Sequence, residues 1–174
     1  MALDMSRVGD HLYVGGMPDP VAHDYPSLGF SAIVLCASEF QPPADLFRGR
    51  VANADGTVTD VGMTVIRVPL NDVAAYTKAE LEAEWRTAME GSAIVARELR
   101  LGRRVLVTCM QGRNRSALVA ALAMWRRGGF PGWYWCELVK ARRRVADGSP
   151  VLSNAGYAGL LMMLPPPAEG ERVE

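Results

Sequence analysis

The sequence is poor in the residues that most often hold metal ions or build disulfide frameworks. It has only two histidines, His11 and His23, and neither is near a cysteine in the chain. Zinc sites need Cys, His or carboxylate ligands at short, characteristic spacings, which this pattern does not offer. The three cysteines are an odd number at wide spacings, which favours a reduced compartment over a disulfide scaffold. We therefore expect neither a metal site nor disulfide bonds.

An excess of one charge and a long apolar run are also missing. Nineteen Lys and Arg residues balance nineteen Asp and Glu residues, so the formal net charge is zero. A neutral chain has no bulk field to hold nucleic acid or an anionic membrane surface, so any anion site must be local. No stretch of about twenty apolar residues is present, nor a basic amino-terminal segment followed by an apolar run. These absences predict a cytoplasmic protein that needs no nucleic acid and no membrane.

The chain has 174 residues, 49% of them hydrophobic, which is enough for one sizeable core and short for two. Helical patterns alternate with apolar, β-branched runs, so we expect one α/β domain with a central, mainly parallel sheet flanked by helices. The domain is expected to span residues 1–164, and residues 165–174 to form a flexible tail. Strands are predicted at residues 11–16, 31–36, 63–69 and 104–108.

Several helix ends are marked by capping residues. Thr77 and Glu80 have the spacing of a capping box, so a helix should begin there and stop near Gly102. A helix with apolar residues on all its faces should follow Ser116. Further boundaries are predicted at the glycine pair 128–129, at Pro131 and at Ser153 or Asn154.

The most informative segment runs from a predicted strand through a short polar loop into the buried helix. It reads Cys-Met-Gln-Gly-Arg-Asn-Arg-Ser at residues 109–116. The first N–H groups of a helix have no intrahelical partners, so a tight loop there can wrap them around an anion. Gly112 would let the loop turn tightly. The segment predicts a phosphate site lined by Met110, Gln111, Gly112, Arg113, Asn114 and Arg115.

Two side chains give this loop its chemistry. The loop amides and the helix dipole stabilise a thiolate at Cys109, which makes it a competent nucleophile. The planar fork of Arg115 can chelate two phosphate oxygens and stabilise the charge of a transition state. Arg113 is either a solvated charge or a second contact for a highly anionic substrate, and both interpretations stay open.

These residues resemble the signature of the cysteine-based protein phosphatases, which is Cys, five residues, Arg, then Ser or Thr. Residues 12–15, 32–35 and 153–160 also resemble two strands and the last helix of the dual-specificity branch. The resemblance implies a dual-specificity phosphatase-like fold and hydrolysis of phosphomonoesters through a phosphocysteine intermediate. Its substrates would be phosphotyrosine and/or phosphoserine and phosphothreonine proteins, and no cofactor is implied.

The resemblance also implies roles for two further residues. The family has a general acid, usually an aspartate a few tens of residues before the cysteine, and Asp72 matches that position. Asp55 and Asp60 are weaker substitutes, and Asp72 is alternatively a simple turn residue. Ser116 resembles the hydroxyl that hydrogen-bonds the leaving thiolate in the second step.

One position departs from the family, because Thr108 stands where a histidine usually precedes the cysteine. That histidine helps to fix the loop and to stabilise the thiolate, so its loss points to a slower enzyme. A catalytically inactive phosphate-binding module is the rival interpretation. A rhodanese-like sulfurtransferase is a second rival, which Gly112, Arg115 and Ser116 disfavour. Related enzymes act on phosphoinositides or RNA 5′-phosphates, and Arg113 keeps these substrates as an alternative.

Four other features have simpler interpretations. Residues 38–62 have neither helical nor strand period, so we expect a long loop, and we hypothesise that it borders the substrate groove. The aromatic residues 133–135 are expected to pack, and the basic run 140–144 to form a solvated helix face. Cys36 and Cys136 are expected in the core, with a redox role toward Cys109 left open.

Overall fold

A computed structural model describes residues 3–52 and 58–173 of the chain. The described residues form seven strands, four α-helices and two short 3₁₀ turns. The strands are β1 (Met5–Gly9), β2 (Leu12–Gly15), β3 (Ala32–Ala37), β4 (Arg48–Ala52), β5 (Val58–Gly62), β6 (Thr64–Leu70) and β7 (Val105–Thr108). The helices are α1 (Lys78–Arg100), α2 (Arg115–Gly128), α3 (Gly132–Arg142) and α4 (Ala155–Met163), and the 3₁₀ turns are Ala44–Leu46 and Glu169–Glu171.

Five strands form the central sheet in the order β1-β2-β7-β3-β6. Neighbouring strands from β2 to β6 are parallel, and only the edge pair β1-β2 is antiparallel. This confirms the predicted α/β class and the mainly parallel sheet. Every residue of β3 and β7 is buried, as expected for central parallel strands covered on both faces. The carboxyl ends of four strands therefore meet at one edge, where α/β proteins usually place their sites.

The two faces of the sheet are covered differently. All four helices pack on one face, where side chains such as Val34 and Val107 join the larger apolar cluster. The other face, with Ile33 and Leu106, is covered by the smaller cluster of Tyr25, Phe30 and Phe47, which contains no helical residue. Helix α2 is buried on all sides, with every residue from 115 to 125 inaccessible or nearly so. Its start is thus fixed firmly at the sheet edge.

The predicted caps are confirmed. Thr77 and Glu80 form a reciprocal capping box, with Glu80 N–H donating to Thr77 Oγ1 over 3.3 Å and Thr77 N–H to Glu80 Oε2 over 2.7 Å. Helix α1 ends just before Gly102, and α2 ends at a left-handed Gly129 with φ of 73°. Asn154 caps α4 by accepting hydrogen bonds from two backbone amides.

The strands of the structure differ from the sequence-based expectations in three places. The predicted long loop 38–62 contains the antiparallel pair β4-β5, in which Arg48 lies opposite Gly62; residues 53–57, and Asp55 with them, lie outside the described part. Pro69 does not end β6, because β6 is an edge strand and tolerates a residue without N–H. Strand β1 was not predicted, since an edge strand with exposed Arg7 lacks a clear apolar pattern.

Residues 165–173 contact the carboxyl end of α2. Trp125 Nε1 donates to the Pro165 carbonyl over 2.7 Å, and the Val173 amide donates to the Arg126 carbonyl over 3.1 Å. The domain boundary at residue 164 and the flexibility of the tail stay predictions. No helix in the described part of the chain is both long and apolar enough to cross a membrane.

Candidate active site

The 109–115 loop joins β7, at the centre of the sheet, to the buried helix α2. Within residues 3–52 and 58–173, no acceptor is bonded to the backbone amides of residues 110–114. These amides remain as donors for an anion. Three loop carbonyls, in contrast, accept hydrogen bonds from residues outside the loop. Three such bonds run from Met17 N to Met110 O (3.1 Å), from Arg143 Nε to Gly112 O (2.9 Å) and from Leu152 N to Arg113 O (3.0 Å).

Gly112 is required by this loop for two reasons. Its φ of +64° lies in the left-handed region that side chains disfavour. A Cβ atom there would also lie 2.5 Å from Arg143 Nη2 and 2.6 Å from the Gly15 carbonyl carbon. The tight turn predicted at Gly112 is therefore present, and a larger residue would displace the loop.

Cys109 and Ser116 lie together at the base of the loop. The Cys109 Sγ and Ser116 Oγ atoms are 3.2 Å apart, and both residues are buried, Cys109 at 4% exposure. The Cys109 amide donates to the Gly15 carbonyl over 3.3 Å, which ties the start of the loop to β2. A hydroxyl at this distance can donate to the sulfur when it carries a negative charge.

Arg115 is held by a carboxylate that the sequence did not reveal. Its Nη1 and Nη2 atoms donate to Glu39 Oε2 and Oε1 over 2.5 and 2.7 Å, and Nη1 also reaches the Leu70 carbonyl. Glu39 follows β3 and is 76 positions away, so no local motif links the two residues. Fork-to-fork pairing of this kind fixes the plane of the guanidinium.

The electrostatics of this pair agree with its geometry. The hydrogen bonds from Arg115 lower the pKa of Glu39 from 4.5 to about 2. Burial on its own lowers the pKa of Arg115, but the hydrogen bonds that it donates to Glu39 and the neighbouring charge of Cys109 raise its pKa above the ordinary value. The Nε atom of Arg115 is buried and has no partner in the described part of the chain. That remaining donor suits an oxyanion in the loop.

Asp72, the candidate general acid, lies beside the loop. It is exposed, and its Oδ2 and Oδ1 atoms accept hydrogen bonds from Asn114 Nδ2 (3.0 Å) and Asn154 Nδ2 (2.9 Å). A bond to a loop residue 42 positions away is more than a turn residue needs. The weaker alternative Asp60 lies in β5 instead.

Thr108 is bonded away from the sulfur. Its hydroxyl is buried and donates to the Val34 carbonyl of β3 over 2.8 Å. The hydroxyl thus anchors the end of β7 to the neighbouring strand. It does not take the place of a histidine next to Cys109.

Arg143 corrects the interpretation of the basic run as a solvated face. Its neighbours Arg142 and Arg144 are exposed, but the Arg143 side chain is 0% exposed. Its Nη2 atom donates to both carboxylate oxygens of Asp4 over 2.8 Å, while Nε donates to Gly112. The prediction of a solvated face fails for Arg143 because its side chain points inward and bonds the loop.

Arg113, Cys36 and Cys136 are the remaining residues that the sequence analysis singled out. The Arg113 Nε atom is buried and has no partner among the described residues. Hydrogen bonds from Ser149 lower the pKa of Asp147, and the positive charge of Arg113 lowers it further. Cys36 and Cys136 are fully buried, as predicted, and burial raises the pKa of both thiols. A redox role for either stays a prediction.

The aromatic run is only partly packed. Trp135 packs against the main core, as expected, whereas Trp133 is 50% exposed. The predicted packing role therefore holds for Trp135 and not for Trp133.

The comparisons with known proteins agree with this architecture. No protein-family model matches the sequence, and no curated protein matches it. The fold is similar to a mouse putative dual specificity phosphatase crystallised with zinc tungstate, at 24% identity over 92% of this chain and 86% of that chain, TM-score 0.62. It is also similar to Tk-PTP in its active form, at 20% identity over 93% and 98% of the chains, TM-score 0.63.

A third similar structure is the human tyrosine phosphatase-like serine/threonine/tyrosine-interacting protein. It shares 17% identity over 92% of this chain and 94% of that chain, with a TM-score of 0.62. This chain therefore shares its fold with these three structures. Likeness at this level of identity speaks for the fold alone.

Proposed function

We propose that this chain is a cysteine-dependent phosphatase of the dual-specificity type. The observation that carries the proposal is the meeting, at one loop, of the Cys109 sulfur, the Asp72 carboxylate and the Arg115 Nε, which has no partner among the described residues. Free amides and a guanidinium form an anion site, the thiolate is a nucleophile, and the carboxyl is a proton donor. These are the groups that phosphomonoester hydrolysis requires.

In the first step, the Cys109 thiolate attacks phosphorus while the bond to the leaving oxygen breaks. Asp72 gives its proton to that oxygen, so an alcohol or phenol leaves instead of its anion. The loop amides and Arg115 stabilise the charge on the remaining phosphate oxygens. The product of this step is phosphocysteine.

In the second step, water attacks phosphorus and the S–P bond breaks. Asp72, now ionised, takes the proton of the water. The thiolate leaves, and the Ser116 hydroxyl, 3.2 Å from the sulfur, donates a hydrogen bond to it. Inorganic phosphate is released and Cys109 is ready for another turn.

The proposed substrates are phosphotyrosine and/or phosphoserine and phosphothreonine proteins, in a cytoplasmic setting. The fold of the similar phosphatases supports this class. Arg113 favours a second candidate, because its buried Nε lacks a partner in the described chain. A groove lined by Lys140 and Arg144 also includes Leu152, whose amide donates to the Arg113 carbonyl. A substrate with a second anionic group, such as a phosphoinositide or an RNA 5′-phosphate, would match that charge.

The test is hydrolysis of para-nitrophenyl phosphate at mildly acidic pH, with EDTA and fresh reductant. Wild type should turn over, and Cys109→Ser should not, because the nucleophile is gone while the anion site remains. Cys136→Ser, which changes a buried cysteine of α3 outside the loop, is the matched control and should retain turnover. A wild-type protein that binds vanadate but releases no phosphate would instead be a phosphate-binding module.

A further inference from the structure

We infer that Asn114 and Asn154 are positioning residues that hold Asp72 over the 109–115 loop, an inference that rests on the proposed function. Each carboxylate oxygen of Asp72 accepts a hydrogen bond from a different carboxamide, Oδ2 from Asn114 and Oδ1 from Asn154. Two bonds to separate oxygens fix both the place and the rotation of a carboxyl group.

Asn114 joins three segments of the chain. It belongs to the loop, it is 8% exposed, and its Nδ2 donates to Asp72 over 3.0 Å. Its Oδ1 atom accepts from the Ser153 and Asn154 amides over 2.9 and 3.2 Å. A carboxamide carries its donor and its acceptor on two separate atoms of one short side chain. The residue therefore ties the acid to the loop that would hold the phosphate.

Asn154 performs a similar double task from α4. Its Oδ1 atom caps the helix by accepting from the Gly156 and Tyr157 amides over 3.1 and 3.3 Å. Its Nδ2 atom donates to Asp72 Oδ1 over 2.9 Å and to the Val73 carbonyl over 3.2 Å. The capping bonds at Oδ1 fix the orientation of the Asn154 carboxamide, and its Nδ2 group in turn orients the Asp72 carboxyl.

The backbone at Asn71, next to Asp72, is fixed by hydrogen bonds to residues of α1 and α4. The Asn71 amide and side chain both donate to Glu84 of α1, over 2.9 and 2.7 Å. The Tyr157 hydroxyl donates to the Asn71 carbonyl. With the backbone fixed by α1 and α4, the two asparagines need to set only the side-chain direction.

This arrangement leaves the acid free to act. A carboxyl group has about four lone-pair sites, so two amide donors leave room for a proton that faces the leaving oxygen. Because a shift of about 1 Å at a catalytic group costs on the order of 100-fold in rate, the bonds that set this direction have kinetic consequences.

Asn154→Ser isolates the positioning role, because serine keeps a good helix cap. Its shorter side chain carries a single hydroxyl at the cap and lacks the separate Nδ2 donor that reaches Asp72. We expect kcat for phenyl phosphate, a poor leaving group, to fall by about tenfold, with KM unchanged. The loss with para-nitrophenyl phosphate should be much smaller, since a good leaving group depends less on protonation. Asn114→Ser, a second variant that removes the other donor, should show the same selectivity.

A double-mutant cycle provides the decisive comparison. In an Asp72→Asn background, Asn154→Ser should cause no further loss, because the group that it positions is already disabled. Thr77→Ser, a cap-preserving change on α1, is the matched control and should alter neither ester. Equal losses on both esters, or a loss that persists in the Asp72→Asn background, would overturn the positioning role alone. Wild-type protein that turns over neither ester would overturn the proposed function and this inference with it.

Discussion

The two halves of the candidate site are assembled in different ways. The anion half is one continuous segment, the 109–115 loop, placed by the strand before it and the helix after it. The acid half comes from elsewhere, with Glu39 and Asp72 bonded to loop residues 76 and 42 positions away. The groups proposed to bind phosphate are therefore close together in the sequence, whereas the orientation of Arg115 and of Asp72 depends on tertiary contacts.

The largest effect that separates the two halves is expected for Asp72→Asn. Removing the proton donor should lower kcat for phenyl phosphate by about 100- to 1,000-fold while vanadate affinity stays unchanged. The loss with para-nitrophenyl phosphate should be smaller. Asp60→Asn, on β5, is the control and should behave as wild type. Equal losses on the two esters would mean that Asp72 supports the loop instead of the leaving group.

Gly112→Ala tests the anion half. The methyl group would meet Arg143 and the Gly15 backbone, so the loop must shift, with a loss of about 100-fold in kcat/KM on both esters and weaker vanadate binding. Gly148→Ala is a matched control, because Gly148 also has a positive φ, +73°, but open space around its Cβ position. A leaving-group-dependent loss for Gly112→Ala would contradict the separation of the halves.

Glu39→Gln tests whether the ion pair with Glu39 fixes the orientation of Arg115. Loss of the ion pair should lower kcat/KM by about tenfold on both esters, because the guanidinium is no longer fixed. Exposed Glu82→Gln on α1 is the control. Full activity of Glu39→Gln would show that the loop alone orients Arg115.

The pH dependence of that effect follows from the direction of the pKa shift. The pKa of Glu39 is depressed to about 2, so the contribution of the ion pair is present above the ordinary carboxyl pKa and is lost only as the pH falls toward 2. The ratio of wild-type to Glu39→Gln activity should therefore be constant from mildly acidic to neutral pH. A ratio that changes within that range would contradict the assignment.

The smallest effect on catalysis is expected for Thr108→Val. The buried hydroxyl bonds the Val34 carbonyl, so its removal should cost about 1 kcal/mol in the free energy of unfolding, measured with urea. Activity should change little. Thr87→Val removes a comparable but exposed bond to the Ala83 carbonyl and should cost less stability. A large loss of activity without a loss of stability would show that Thr108 acts on Cys109.

The sequence predicts the anion half and only part of the acid half. The motif at residues 109–116 and the buried helix after it are contiguous, so their pattern is visible in the chain. Asp72 was found through a family resemblance. Glu39, Arg143 and Asn154 gave no signal of a role in the site, because their partners lie far away in the sequence.

The sequence by itself determined the features that depend on neighbours within a few residues. The capping box at Thr77, the αL ending at Gly129 and the strand-loop-helix around Cys109 all follow from local backbone hydrogen bonding. Tertiary structure alone decided the contacts of Glu39 and Asn114. Those contacts depend on which strands become neighbours in the sheet and where their ends meet, and no short stretch of sequence records that order.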